Sequence, residues 1–370
     1  MRFHIVKRDH CPLWKKLCLY LLAVGAALAV GGLLLLAMGV DPVAYYSRMF
    51  TMGMVGNKIA YKAFENYLKV FVPLVLTAVG LSLAFKMRFW NIGGEGQFIL
   101  GAVAAAAVAF QAGPLLPEPL TLVLMCLAAM LAAGLYGVVT AVFKVKFGTS
   151  ETLLTLMLNY IALYLLQFLG ETKAGWNFFL DPDSARPKFA GFPDNADMIT
   201  FPLGPFNLNL SLIIAIVLCV LLFGYLKYTK HGYEIAVVGD SPNTARYAGM
   251  KVGRIVVRTI FLSAALIGLA GAFYVSSAGT LSTSVTNDVG WTGIVVAWLA
   301  KLNTVGIVIT ALLITVLQFG CQAASTTYSS IDANFADLIQ GIILFAVLAA
   351  DFFTRFRLAR RAAAPKEVSK

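Results

Sequence analysis

The chain has 370 residues, 59% of them hydrophobic and only 13% charged, with a formal net charge of +11. A soluble domain carries about 25% charged residues, so this composition excludes an ordinary globular enzyme or binding module and indicates a membrane protein. The positive balance fits basic cytoplasmic loops rather than a nucleic-acid partner, because no aromatic–basic array accompanies it.

Ten apolar stretches follow in chain order, at about the length of roughly 20 residues that crosses a bilayer core. The expected fold is an all-α polytopic membrane protein, read as a single transmembrane domain over residues 1–370. The first span, 17–38, follows Arg2, Lys7, Arg8, Lys15 and Lys16. Its apolar run exceeds a signal-peptide core of roughly 7–15 residues, so an uncleaved span is expected. The second span, 68–86, leads into Trp90-Asn91-Ile92-Gly93-Gly94-Glu95-Gly96-Gln97, and the third, 96–112, follows. Three glycines, two amides and a carboxylate make a poor membrane helix. Irregular backbone at membrane depth persists only where protein or a watery cavity satisfies it. A half-helix starting near Gly94–Gly96 exposes free N–H groups and a positive dipole end, suited to a polar solute. The bland alternative for Glu95 is a carboxylate paired with backbone, Lys86 or Arg88 that merely holds the bend.

The fourth and fifth spans are expected at 120–143 and 151–170. Between them lies Gly148-Thr149-Ser150-Glu151-Thr152, where Thr149 or Ser150 can cap a helix and Glu151 suits its first turn. Asn159, deeper in the fifth span, is an amide that should face a helix or a cavity. Residues 65–170 form the core of a first half. Residues 171–207 are rich in proline and glycine and carry Asp181, Asp183, Asp194 and Asp197, which marks an external docking loop. The sixth span is expected at 208–226, followed by an internal loop, 227–257. Within it, Gly239, Asp240, Ser241, Ala245, Arg246 and Gly249 belong to the run 239–249. Ser241 can cap there, Pro242 fits the first helical position and Gly249 can close a short helix in the left-handed conformation.

The second half core, 257–353, holds spans at 257–278, 290–300, 304–320 and 334–353, and a basic tail occupies 354–370. Its first span ends in a second polar break, Gly279–Gly293, containing Thr286, Asn287, Asp288 and Trp291. The two halves echo each other: LTAVGLSLAF at Leu76–Phe85 against SAALIGLAGAF at Ser263–Phe273, each followed by a glycine-containing break. Five spans separate the copies, and an odd number inverts topology. Paired interrupted segments in inverted halves point to a transporter's central site. Asn91, Glu95, Gln97, Asn159, Thr286, Asn287, Asp288 and Trp291 are therefore the candidate solute-route residues.

With both ends inside, only Arg48, Lys58, Lys62, Lys69, Lys173, Arg186 and Lys188 of the 29 basic residues fall outside. That asymmetry sets the expected orientation, with cytoplasmic termini and an even number of spans. Five scattered cysteines and three unclustered histidines offer no metal site. No phosphate loop, nucleophile elbow or zinc-protease helix occurs, so no catalytic residue is assigned and any ATP must bind another chain. A secondary transporter is the mechanistic rival, with Glu95, Glu151 and Asp288 as its possible relay.

The runs NIGGEGQFILGA (91–102), FGTSETLLTLMLNYIA (147–162), GYEIAVVGDSPNTARYAGM (232–250) and GWTGIVVAWLAKLNTVGI (290–307) resemble those of ABC-importer permeases. The family is the one serving branched-chain amino acids and simple sugars, and the first two runs resemble its nucleoside-uptake branch. The resemblance covers roughly residues 65–350 and departs from the branch at Trp298 and Lys301. It implies a bacterial inner-membrane protein that imports nucleosides or nucleobases, with a simple sugar or other small polar solute as the alternative. It also implies a second permease subunit, an external solute-binding protein and a cytoplasmic ATPase. That ATPase carries ATP and Mg, and this chain binds no cofactor. The run 239–249 matches the family's coupling helix, which docks on the ATPase.

Overall fold

The computed structural model describes residues 3–7, 12–54, 60–325, 328, 331 and 334–360. Among them, nine helices are long and apolar enough to cross a membrane. They are α1 (Leu13–Ala37), α3 (Ala60–Lys86), α4 (Gly94–Ala112), α5 (Glu118–Phe147), α6 (Glu151–Glu171), α7 (Leu210–Tyr228), α10 (Val252–Ala278), α12 (Thr304–Ser325) and α13 (Phe335–Arg355). The shorter α11 (Val289–Leu299) is apolar but has only 11 residues. It corresponds to the expected span at 290–300. Ten apolar helices thus match the ten stretches read from the sequence, with one too short to cross alone.

Of three further helices, two were not expected and the third is the short helix expected within 239–249. The first, α2 (Pro42–Met54), lies in a segment read as an external connection. Helix α8 (Lys230–Asp240) occupies the start of the internal loop, and α9 (Pro242–Tyr247) follows it directly. The short helix predicted over 239–249 is therefore six residues long, and Gly239 and Asp240 end the preceding one. The expected caps are otherwise in place. The Ser150 hydroxyl accepts from the Leu153 N–H at 3.4 Å, the Ser241 hydroxyl accepts from the Thr244 N–H at 3.2 Å, and Gly249 has φ +76°.

The chain divides into two compact units. One comprises Met1–Gly56 and Leu317–Lys370. There α1 packs on α13, and Tyr45 and Met49 of α2 are buried with Leu35, Cys321, Phe335 and Ile339. A short antiparallel pair, β1 (Phe3–Lys7) with β4 (Phe356–Arg360), joins the two ends of the chain.

The other unit is Asn57–Val316. Helix α10 is its axis, packed on α3, α4 and α5. The two repeat copies cross there: the Ser263 hydroxyl donates to the Gly80 carbonyl at 2.7 Å. Gly101 and Gly268 bring α4 and α10 into backbone contact, since a Cβ on Gly101 would collide with Gly268. Close backbone approach through small residues is how membrane helices gain packing where lipid is as apolar as leucine. The segment between α6 and α7 contains a hairpin, β2 (Thr200–Leu203) with β3 (Phe206–Asn209), turned by Gly204 at φ +66°.

Candidate functional site where two helix breaks meet

Helix α3 ends at Lys86, and residues 87–93 are irregular before α4 begins at Gly94. The buried amide side chains of this first break have partners inside the chain. The Asn91 and Gln97 amides bond each other in both directions at 3.1 Å, and Asn91 Oδ1 also accepts the Gly93 N–H at 3.0 Å. Helix α6 clamps the freed backbone. Asn159 accepts the Gly96 N–H at 2.8 Å and donates to the Ile92 carbonyl at 2.9 Å. The Thr155 hydroxyl accepts the Ile92 N–H at 3.2 Å. This satisfies the requirement that unwound backbone in lipid be paired. Thr155 was not among the candidates; a threonine one turn before Asn159 on the same helix face was the available signal.

Helix α10 ends at Ala278, and Gly279 reverses the chain at φ +69°. The second break then runs to α11, with Asn287 at φ +43° and Asp288 at φ +57°. Asn287 and Asp288 are exposed, Thr286 is buried, and Trp291 is 42% exposed. The breaks meet at Glu95. Its Oε2 accepts the Gly290 N–H at 2.8 Å, and the Thr286 hydroxyl and Trp291 N–H also face it. Glu95 thus stands in the first turn of α4 and caps α11 from outside. Neither Lys86 nor Arg88 is its partner. Gly290 must lack a side chain, because a Cβ there would meet the Glu95 backbone and carboxyl.

Each break is gripped where it begins. Met87 and Phe89 pack with Ile235 and Val238 of α8 and with Ala245 of α9. A Cβ on Gly239 would collide with the Lys86 carbonyl, so α8 lies flush on the end of α3. Among the described residues Arg246 bonds its neighbour Asn243, at 3.1 Å, and Tyr247 is 94% exposed on α9. At the second break the segment between α6 and α7 takes the corresponding place. The Phe192 N–H donates to the Gly279 carbonyl at 2.8 Å, the Met198 N–H to the Ser276 carbonyl at 3.0 Å, and the Ser276 hydroxyl to the Ala196 carbonyl at 2.9 Å.

The indoles of Trp90 and Trp298 stack with centroids 5.2 Å apart and planes at 17°, joining the start of the first break to the end of α11. Of the remaining carboxylates weighed as a proton relay, Glu151 pairs with Lys144 at 2.6 Å at the edge of α6 and Asp288 is exposed. Among the described residues no three His, Cys, Asp or Glu side chains converge as a metal site would require.

Comparison with known proteins adds the following. A family model described as the permease component of the branched-chain amino acid transport system matches residues 63–348. The glucose ABC transporter permease protein TsgB13 of Haloferax volcanii is 30% identical over 95% of this chain and 92% of its own. The nucleoside ABC transporter permease protein NupB of Lactococcus lactis is 28% identical over 90% and 91%. The guanosine ABC transporter permease protein NupP of Bacillus subtilis is 28% identical over 91% and 94%.

Proposed function

Because this chain belongs to the family of permease components of the branched-chain amino acid transport system, we propose that it carries nucleosides or nucleobases across the inner membrane as one permease subunit of an ATP-driven importer. The cargo reading rests on NupB and NupP, whose names specify a nucleoside and guanosine; the likeness to TsgB13 keeps a simple sugar as the second reading.

The observation that carries the mechanism is the Glu95–Gly290 bond. It joins the N-termini of two half-helices, each held by a loop on its own face of the membrane. In this reading a cytoplasmic ATPase, which holds ATP and Mg, docks on α9 and moves Ala245 against Met87 and Phe89. An external solute-binding protein presses on the 171–207 segment, which bears on Ser276–Gly279. Both inputs reach the same buried junction, so closure on one face is felt on the other. Asn91, Gln97, Asn159 and Glu95 keep the junction in register. Thr286, Asn287, Asp288 and Trp291, nearer the exposed side, meet the solute along a route completed by a second permease subunit. Both termini lie in the cytoplasm, a placement favoured by the basic-residue asymmetry.

The test is uptake by the intact importer, purified with its co-encoded chains and reconstituted in liposomes. Guanosine accumulation that needs ATP and the ATPase, and is indifferent to proton and sodium ionophores, is the expected result. Glucose accumulation in place of guanosine would move the cargo to the second reading. Uptake driven by an ion gradient without ATP would overturn the importer reading.

A further inference from the structure

Helix α8 is fastened near its start and bears on the first break near its end. Thr229 caps the first turn by accepting the Gly232 N–H at 3.2 Å, and its own hydroxyl donates to the Tyr225 carbonyl of α7 at 2.6 Å. A Cβ on Gly232 would collide with the Leu226 carbonyl, and the His231 ring lies against that of Tyr225 with centroids 5.8 Å apart. Just beyond, Nη2 of Arg258 on α10 donates to Oε2 of Glu234 at 2.9 Å. The start of α8 is thus held by the end of α7 and by the helix packed on α3, α4 and α5. Its other end is the working one. Ile235 and Val238 lie on Met87 and Phe89, and Gly239 is flush on the Lys86 carbonyl. Glu234 and Gly239 stand about 7.5 Å apart along the helix.

An ion pair whose arginine side chain is 35% exposed adds little stability. Its geometry gives it another use. Only one bond joins the two groups, and the Arg258 Nε is buried without a partner among the described residues. A bidentate fork would lock guanidinium and carboxylate in one orientation. A single bond lets α8 turn about Glu234 while preventing it from sliding along α10. We propose that Arg258 is a positioning residue for coupling: its bond to Glu234 is the pivot on which α8 swings, so that a load on α9 is delivered to residues 86–89 at the start of the first break. The inference rests on the reading of α9 as the dock of the ATPase, and it separates the dock from the pivot. Loss of the pivot leaves the ATPase bound and working, with its stroke spent in moving α8 as a whole.

The experiment uses the intact importer in liposomes, supplied with guanosine and glucose, and reads solute accumulated per ATP hydrolysed beside the unfolding midpoint. Arg258→Met and Glu234→Gln should each lower that ratio about fivefold or more, with ATP hydrolysis continuing and the midpoint unchanged. Arg258→Lys keeps a single-point cation on α10 and should retain most of the ratio. Exchanging the charges, Arg258→Glu together with Glu234→Arg, should recover coupling that either change alone removes. An unaltered ratio in Arg258→Met would overturn the proposal. So would a ratio that falls only in step with a lowered midpoint, which would make the pair structural, or an exchanged pair no better coupled than its single variants. Failure of the importer reading itself shows separately, as the absence of ATP-driven uptake by the unaltered protein.

Discussion

The carboxyl of Glu95 stands where two helix N-termini face each other, its own and that of α11. Each terminus presents unpaired N–H groups and a positive dipole end, and one side chain serves both. Glu95→Ala should leave the Gly290 N–H without a partner and cost about 1–3 kcal/mol, read as a lowered unfolding midpoint in detergent together with loss of ATP-driven uptake. Glu95→Gln retains an acceptor oxygen, so the fold should survive while uptake falls. Gly290→Ala tests the contact from the other side. Its methyl would land on the Glu95 backbone, with an overpacking cost of about 1–3 kcal/mol. Asn159→Leu, similar in volume, strands both the Gly96 N–H and the Ile92 carbonyl and should lower the midpoint by at least as much as Glu95→Ala. The polar residues themselves were visible in the sequence, because an amide or carboxylate in an apolar run is conspicuous. Their partners were not. A backbone partner for Glu95 was among the expectations, but Glu95 and Gly290 are 195 residues apart, and nothing local to the first break pointed to an amide in the other half of the chain.

Helix α9 has six residues, too few to hold together in water on its own. Its order comes from the Ser241 cap and from Ala245, which is fully buried against the end of α3. Tyr247 contributes nothing to that packing, so Tyr247→Ala should leave the unfolding midpoint unchanged and lower transport-coupled ATP hydrolysis. A fall in the midpoint would instead give Tyr247 a structural role. The segment between α6 and α7 offers a pH readout. Burial raises the Asp197 carboxyl above its ordinary range, Asp194 and Glu118 push the same way, and Lys69 opposes them. The folded form therefore holds this proton more tightly than the unfolded chain. Ionisation at neutral pH works against folding, and that penalty fades as pH falls through the raised value toward the ordinary carboxylate pKa of about 3.9. Asp197→Asn should raise the midpoint at pH 7 and flatten its dependence below neutrality, as thermal scans across pH would report. The long spans were legible to within a few residues of their ends, apart from the second, which begins eight residues early, because composition alone marks a membrane helix. Four elements were hidden for physical reasons. Helix α2 is too short to cross, α8 begins with Lys230 and His231 and reads as a polar loop, and β2 and β3 are four residues each, below the length at which alternation is detectable.

Across the whole molecule the two breaks are arranged alike but oppositely. The first is entered over a bed of α8 and α9, the second against the segment between α6 and α7, and Glu95 ties them together. Replacing residues 242–247 with a glycine–serine linker should abolish ATP-driven uptake while the protein remains membrane-inserted and folded. Normal uptake by that variant would refute the assignment of α9 as the coupling element. The inverted repeat was legible as a weak echo between residues 76–85 and 263–273, and its meaning is physical: the copies cross at Gly80 and Ser263. What no single-chain pattern could announce is that the first break is already closed by its own amides. The Trp90–Trp298 stack turns this architecture into an instrument. Of the five tryptophans, these two are face to face, one at the start of the first break and one at the far end of α11. Paired indoles quench and exciton-couple as a function of their separation, so any transport cycle that parts the halves would be written in the ultraviolet emission of the unlabelled protein, with Trp90→Phe as its blank.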